Sequence, residues 1–292
     1  MKKVLLSKIT KRVVYSILFF IVLSQLMTSC LQFRMKPDEV DAYFKDKSKV
    51  PELKRIASGN REISLAFQDN HQETTVVFIH GAPGSWSAFI DFMKNDDLRD
   101  QVNIISVDRP GYGYSGFGEP VYSLERQSKY LMKAVRAVSD KPLILVGHSL
   151  GGPVAARMMM DFPENIKGSV LVAPSIDPDL ENREWYRYLG KLRLVKYLLP
   201  KSLWVTNEEI YDLKEELAIM LPGWSDITSK VIVIQGTKDN LVPKENADFA
   251  DRVMADEFVE IRMLEDVNHF IPWTHPETIV NSIREIDENS TN

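Results

Sequence analysis

The sequence predicts an α/β chain: a mostly parallel central sheet with helices on both faces and a small helical cap. Three observations predict it. Short apolar runs recur at Val76–Ile79, Ile104–Val107, Leu143–Val146, Val170–Val172 and Val231–Ile234. Each has strand length and is apolar along almost its whole length, as strands covered on both faces are. Helical patterns lie between them; residues 123–138 place Tyr130, Leu131, Ala134, Val135 and Val138 on one face. Third, Gly147-His148-Ser149-Leu150-Gly151 follows directly on Leu143–Val146. The glycines allow a sharp strand-to-helix turn that presents the serine hydroxyl at its tip.

Composition sets the bounds. The chain has 292 residues, 44% hydrophobic and 26% charged, which suits one large globular domain with insertions. The first 30 residues differ from the rest. Lys2, Lys3, Lys8, Lys11 and Arg12 form a basic start without an acidic residue, and residues 13–27 are almost wholly apolar. That length suits a signal-peptide core and is short for a membrane span. Met27-Thr28-Ser29-Cys30 then brings the only cysteine of the chain. This segment resembles a bacterial lipoprotein signal, which implies a signal peptide over residues 1–29 and lipid on Cys30. An N-terminal transmembrane anchor is the alternative. Either reading puts the body in the bacterial cell envelope, with the membrane touched only through lipid or anchor. Without the five basic residues, 31 basic face 41 acidic, a net charge of −10. Such a body argues against nucleic acid and anionic surfaces as partners.

The rest follows in chain order. Residues 30–60 are mixed and polar and read as a tether, with a short helix over 38–47. The domain proper spans 61–292 and opens with a strand at Ile63–Phe67. After the serine turn, residues 150–161 form a helix that Phe162-Pro163 stops. Residues 175–228 interrupt the alternation and read as the inserted cap. Trp185, Tyr188, Leu189, Trp204 and Met220 are the cap side chains expected to line a substrate pocket. An edge strand at Phe258–Leu264 and a helix from Pro276 complete the pattern.

A serine nucleophile needs a base, and the base needs an orienting acid. Ser149, Asp239 and His269 each follow a run expected to be a strand, so all three reach one edge of the sheet. Asp177 as the acid and His275 as the base are the alternatives; Asp266 reads as structural. Two backbone donors for an oxyanion are expected at Ala82, in the His80–Ser85 turn, and at Leu150.

Together these residues resemble the α/β-hydrolase superfamily. The motifs are His80–Ser85, Asp108–Gly116, Gly147–Gly152, Gly236–Asp239 and Asn268–Phe270. The resemblance covers about Ile63 to Ile286. It implies a serine hydrolase without metal or organic cofactor, and no catalytic role for Asp108–Gly116. A serine nucleophile disfavours epoxide opening and dehalogenation, which use aspartate in capped relatives. Hydrolysis of a small or medium, largely apolar carboxylic ester is the first expectation. Carbon–carbon bond hydrolysis, perhydrolysis and aminopeptidase activity use the same groups. A ligand-binding lipoprotein on this scaffold is the non-enzymatic alternative. The sequence leaves the oligomeric state open.

Overall fold

Eight strands build one sheet: β1 (Glu52–Ser58), β2 (Arg61–Gln68), β3 (Thr75–Ile79), β4 (Asn103–Val107), β5 (Leu143–His148), β6 (Ile166–Val172), β7 (Lys230–Gly236) and β8 (Val259–Leu264). The computed structural model describes residues 10–16, 18–23, 26, 32–44, 49–181, 185–190, 195 and 199–289. Strand order is β1-β2-β4-β3-β5-β6-β7-β8. β1–β2 and β2–β4 pair antiparallel; every other pair is parallel.

The apolar runs are explained by burial on both faces. In β5, Leu143 and Leu145 face one core cluster while Ile144 and Val146 face the other. Val231 and Val233 alternate with Ile232 and Ile234 in β7 in the same way. Helices cover both sides. Nine of them matter for position: α1 (Pro37–Tyr43), α2 (Asp96–Arg99), α3 (Leu124–Arg136), α4 (Gly151–Asp161), α5 (Trp185–Gly190), α6 (Lys201–Met220), α7 (Glu245–Val253), α8 (Ile271–Thr274) and α9 (Pro276–Asn289). α3, α4 and α7 bury their apolar faces in the first cluster, α1 and α9 in the second. The Ser123 hydroxyl caps α3 by accepting the Arg126 N–H, and Lys133 and Arg136 occupy its negative last turn.

The cap lies between β6 and β7. It contains α5, α6 and a 3-10 turn at Leu221–Asp226. α5 leans on α6 through the Tyr188–Tyr211 edge contact at 5.3 Å and through Asn207, which donates to the Arg187 carbonyl at 3.3 Å. The C-terminal half of α6 plugs into the core with Leu213, Leu217 and Met220.

One expectation is corrected. Residues 30–60 are not only a tether: α1 and β1 lie within them, and both pack on the body. Val40 and Phe44 are buried against the cluster that contains Trp86 and Phe89. The Arg34 guanidinium lies 4.1 Å from the Tyr114 ring centre and donates to the Gly113 carbonyl at 2.6 Å. The Ser85 hydroxyl donates to the Phe33 carbonyl. β1 escaped the sequence reading because it is an edge strand with mostly exposed residues and no apolar run. Among the described residues, no helix is long and apolar enough to cross a membrane. Cys30 lies outside the described residues.

Candidate active site

The site starts from a backbone that side chains rarely adopt. Ser149 has φ = +53° in the turn between β5 and α4. That left-handed conformation costs a non-glycine residue of order 1 kcal/mol or more and persists only when its surroundings fix it. They do so here. The Ser149 N–H donates to the Val172 carbonyl at 3.0 Å, and its own carbonyl accepts the Gly152 N–H at 2.9 Å. Gly147 and Gly151 let strand and helix close up. A Cβ on Gly147 would lie 2.5 Å from the Gly151 oxygen, and one on Gly151 would overlap the Ile79 oxygen. The hydroxyl therefore sits at the N-terminus of α4, where the helix dipole favours developing negative charge.

Asp239 and His269 meet in the structure. The His269 Nδ1–H donates to Asp239 Oδ2 at 2.7 Å. Asp239 follows β7, and its side chain has no exposed surface. Its Oδ1 accepts the N–H groups of Leu241 at 2.8 Å and Val242 at 2.9 Å, and Oδ2 also accepts from Gln235 at 3.2 Å. Burial alone would raise this carboxyl. The hydrogen bonds from His269, Val242 and Leu241 outweigh it and hold Asp239 below the ordinary carboxylate value. An acid that stays ionised beside Nδ1–H leaves Nε2 free to accept a proton.

His148 links His269 to the serine turn. Its Nε2–H donates to the His269 carbonyl at 3.1 Å, and the two rings lie 4.8 Å apart. Burial, then the neighbouring His269, push His148 down to about 3, so it stays a neutral donor. Trp273 closes on His148 edge-on at 5.5 Å, and Phe270 contacts both His269 and Trp273. Both aromatics remain half exposed, forming an apolar rim beside the base.

The two expected oxyanion donors are placed by different elements. Leu150 is the residue before α4, and Ala82 lies in the turn after β3. Among the described residues, no acceptor engages either backbone N–H. Gly81 packs so close that a Cβ there would stand 2.9 Å from the Ser149 Cβ, which brings the turn against Ser149.

The alternatives separate cleanly. The Asp177 carboxylate accepts from the Asp179 N–H at 2.8 Å and from Arg252 at 3.4 Å. His275 is exposed and bonds Thr274 at 2.9 Å. Asp266 pairs on the surface with Lys238 at 2.9 Å. Of the cap residues, Trp185 and Tyr188 are largely exposed on α5, and Trp204 is half-buried on α6. The Leu189 side chain is outside what is described. Met220 is buried in the core with Leu217 and Trp224, a packing position rather than an open pocket wall. A cavity of about 380 Å³ opens between α5 and α6, lined by Leu199, Leu203 and Ile210 among others; none of Ser149, Asp239 and His269 lines it. Among the described residues, no group of three or more His, Cys, Asp or Glu could hold a metal ion.

Sequence reasoning missed His148 and Gln235 as partners of His269 and Asp239, and it missed the buried Arg109–Glu209 ion pair at 3.0 Å. Gln235 carried a signal, a polar residue closing an apolar strand run. Arg109 and Glu209 carried none, because they meet only in three dimensions.

Known proteins agree with this architecture. A family model described as the alpha/beta hydrolase fold matches residues 74–194. The proline iminopeptidase PfmaB of Pestalotiopsis fici is 24% identical over 72% of this chain and 90% of its own length. Two further curated relatives are spanned over only 26% and 36% of their lengths. Cfl2 from Burkholderia cenocepacia superposes with a TM-score of 0.66 at 16% identity, covering 82% of this chain and 97% of that one. E-2-(acetamidomethylene)succinate hydrolase gives 0.62 at 18% identity, over 82% and 99%. The chain has the α/β-hydrolase fold.

Proposed function

We propose that this chain hydrolyses carboxylic esters through an acyl-enzyme on Ser149. The observation that carries the reading is the His269–Asp239 pair, held at 2.7 Å and tied through the His269 carbonyl to His148, the residue before a serine fixed at φ = +53°. The Ser149 Oγ attacks the ester carbonyl while His269 Nε2 takes its proton. The carbonyl oxygen becomes an oxyanion held by the N–H groups of Ala82 and Leu150. Collapse breaks the bond to the alcohol, which leaves with the proton from His269. Water, activated by the same imidazole, then splits the acyl–serine ester and restores the hydroxyl.

The exposed rim of Phe270, Trp273 and Leu241 favours an apolar acyl or alcohol group over a charged one. The body is attached to the envelope through lipid on Cys30, or through an uncleaved apolar N-terminus. The basic start and the apolar run over 13–27 support this. A second reading, cleavage of an N-terminal amino acid, is favoured by the length over which PfmaB matches.

Hydrolysis of 4-nitrophenyl esters of increasing acyl length, beside proline 4-nitroanilide, separates the two. The ester reading expects turnover of esters and its loss by about 10⁶ in Ser149→Ala. Turnover of the anilide alone would establish the peptidase reading, and ester turnover unchanged in Ser149→Ala would refute both.

A further inference from the structure

We infer that Glu209, on cap helix α6, is a positioning residue for the oxyanion donor and acts through Arg109. The inference rests on the serine-hydrolase reading above and goes beyond it, because it assigns a role to the cap and to the Asp108–Gly116 turn.

Arg109 is 1% exposed and Glu209 5%. Burying an ion pair is a poor route to stability, since the desolvation cost can exceed the attraction. Its hydrogen bonds show what this one holds. Arg109 Nε donates to the His80 carbonyl at 2.8 Å, and Nη2 reaches the Gly81 carbonyl at 3.4 Å. The other guanidinium edge forks onto Glu209, with Nη1–Oε1 at 3.2 Å and Nη2–Oε2 at 3.0 Å, and Nη1 also donates to Gln127 Oε1 at 3.0 Å. Glu209 also accepts from the Tyr112 hydroxyl at 2.7 Å and from Gln127 at 3.0 Å, so both its oxygens are filled. His80 completes the clamp. Its Nε2 accepts the Arg109 backbone N–H at 3.0 Å, and its Nδ1–H donates to the Gly81 carbonyl at 2.6 Å.

The consequence follows from peptide geometry. The Gly81 C=O and the Ala82 N–H belong to one planar unit and point in opposite directions across a trans bond. Whatever fixes the Gly81 oxygen fixes where the Ala82 N–H points. Two donors fix it, and Glu209 orients one of them. Glu209 is supplied by the cap, so the Arg109 half of this clamp depends on α6 being seated on the core, while the His80 half does not. The bidentate fork makes this specific to arginine, because a lysine offers no second edge.

The test uses the full chain and three variants. Glu209→Gln removes the charge that orients the guanidinium. Arg109→Lys keeps a buried cation for Glu209 and folds more safely, but it loses the fork and its reach to both carbonyls. Glu216→Gln is the control: Glu216 ties α6 to the core at the Leu124 N–H, 2.8 Å away, without touching the oxyanion turn.

A donor displaced by about 1 Å costs on the order of 10²-fold. Each of the first two variants is therefore expected to lower kcat by about 10- to 100-fold, with KM within about threefold. The inhibition constant of a trifluoromethyl ketone, whose tetrahedral adduct needs the same donors, should rise by a matching factor. The pH–rate midpoint and the Glu216→Gln rates should stay as in the wild type. The inference is overturned if either folded variant keeps kcat within twofold, or loses kcat while ketone affinity is unchanged. It is also overturned if Glu216→Gln loses as much as Glu209→Gln, which would mark a general cap effect. A wild-type chain that neither turns over esters nor binds the ketone fails at the earlier reading instead.

Discussion

Replacing Asp239 by asparagine tests the acid in a way the structure makes specific. An asparagine has one acceptor and one donor end, and its surroundings choose which goes where. Oδ1 of Asp239 accepts two backbone N–H groups, from Leu241 and Val242. Turning an NH2 toward them would set donors against donors and cost about 2 kcal/mol or more, at roughly 1 per lost bond. The asparagine oxygen therefore takes that side, and its NH2 faces His269 Nδ1, where the carboxylate stood at 2.7 Å. Gln235 does not oppose this, because its Oε1 has no hydrogen-bond partner among the described residues and its amide can turn to accept. His269 must then accept at Nδ1 and carry its proton on Nε2. That tautomer cannot take the serine proton. The expected loss is about 10⁴ in kcat, equivalent to about 5 kcal/mol of transition-state stabilisation. Steady-state hydrolysis of 4-nitrophenyl butyrate by wild type, Asp239→Asn and Ser149→Ala measures it, with the melting temperature as a check on folding. A folded Asp239→Asn within tenfold of wild type would refute the reasoning.

Three further outcomes follow from the same contacts. In Gly81→Ala the new Cβ would stand 2.9 Å from the Ser149 Cβ and 3.3 Å from the His148 oxygen. The nucleophile must shift by tenths of an ångström, and kcat should fall at least tenfold while a thermal melt shows little change. His148 is buried with its pKa lowered to about 3, against 6.5 unfolded, so the unfolded chain binds the extra proton between those values and stability falls as pH drops. Urea unfolding at pH 7 and pH 5 should show the wild type losing about 2 kcal/mol more than His148→Asn, and equal losses would contradict the assignment. Phe44→Ala should cost about 3 kcal/mol by denaturant unfolding, because Phe44 is 2% exposed in the core, whereas a tether residue would cost almost nothing.

The parts of this molecule that were legible in the sequence share one property: they depend on local pattern. β3, β5 and β7 announced themselves because two-sided burial requires unbroken apolar runs. The serine turn was legible because only glycine fits at positions 147 and 151. Asp239 and His269 were legible because strand ends in a parallel sheet meet at one edge. What was hidden has no local signature. β1 is exposed and short of apolar residues. α1 buries only Val40 along its length, with Phe44 just beyond it, too little to separate a docked segment from a linker. The Met220 side chain has the spacing of a pocket lining and the burial of a core residue, and spacing alone does not separate the two. The Arg109–Glu209 pair joins residues 100 positions apart, and nothing in either neighbourhood names the other.

The central claim is that Ser149 is acylated during turnover. Acid quenching of the wild-type chain in mid-turnover with a 4-nitrophenyl ester, followed by peptide mass spectrometry, measures it directly. The account predicts that the Ser149 peptide gains the mass of the acyl group, and that Ser149→Ala shows neither the gain nor the turnover. Steady ester turnover with an unmodified Ser149 peptide, retained in Ser149→Ala, would contradict it.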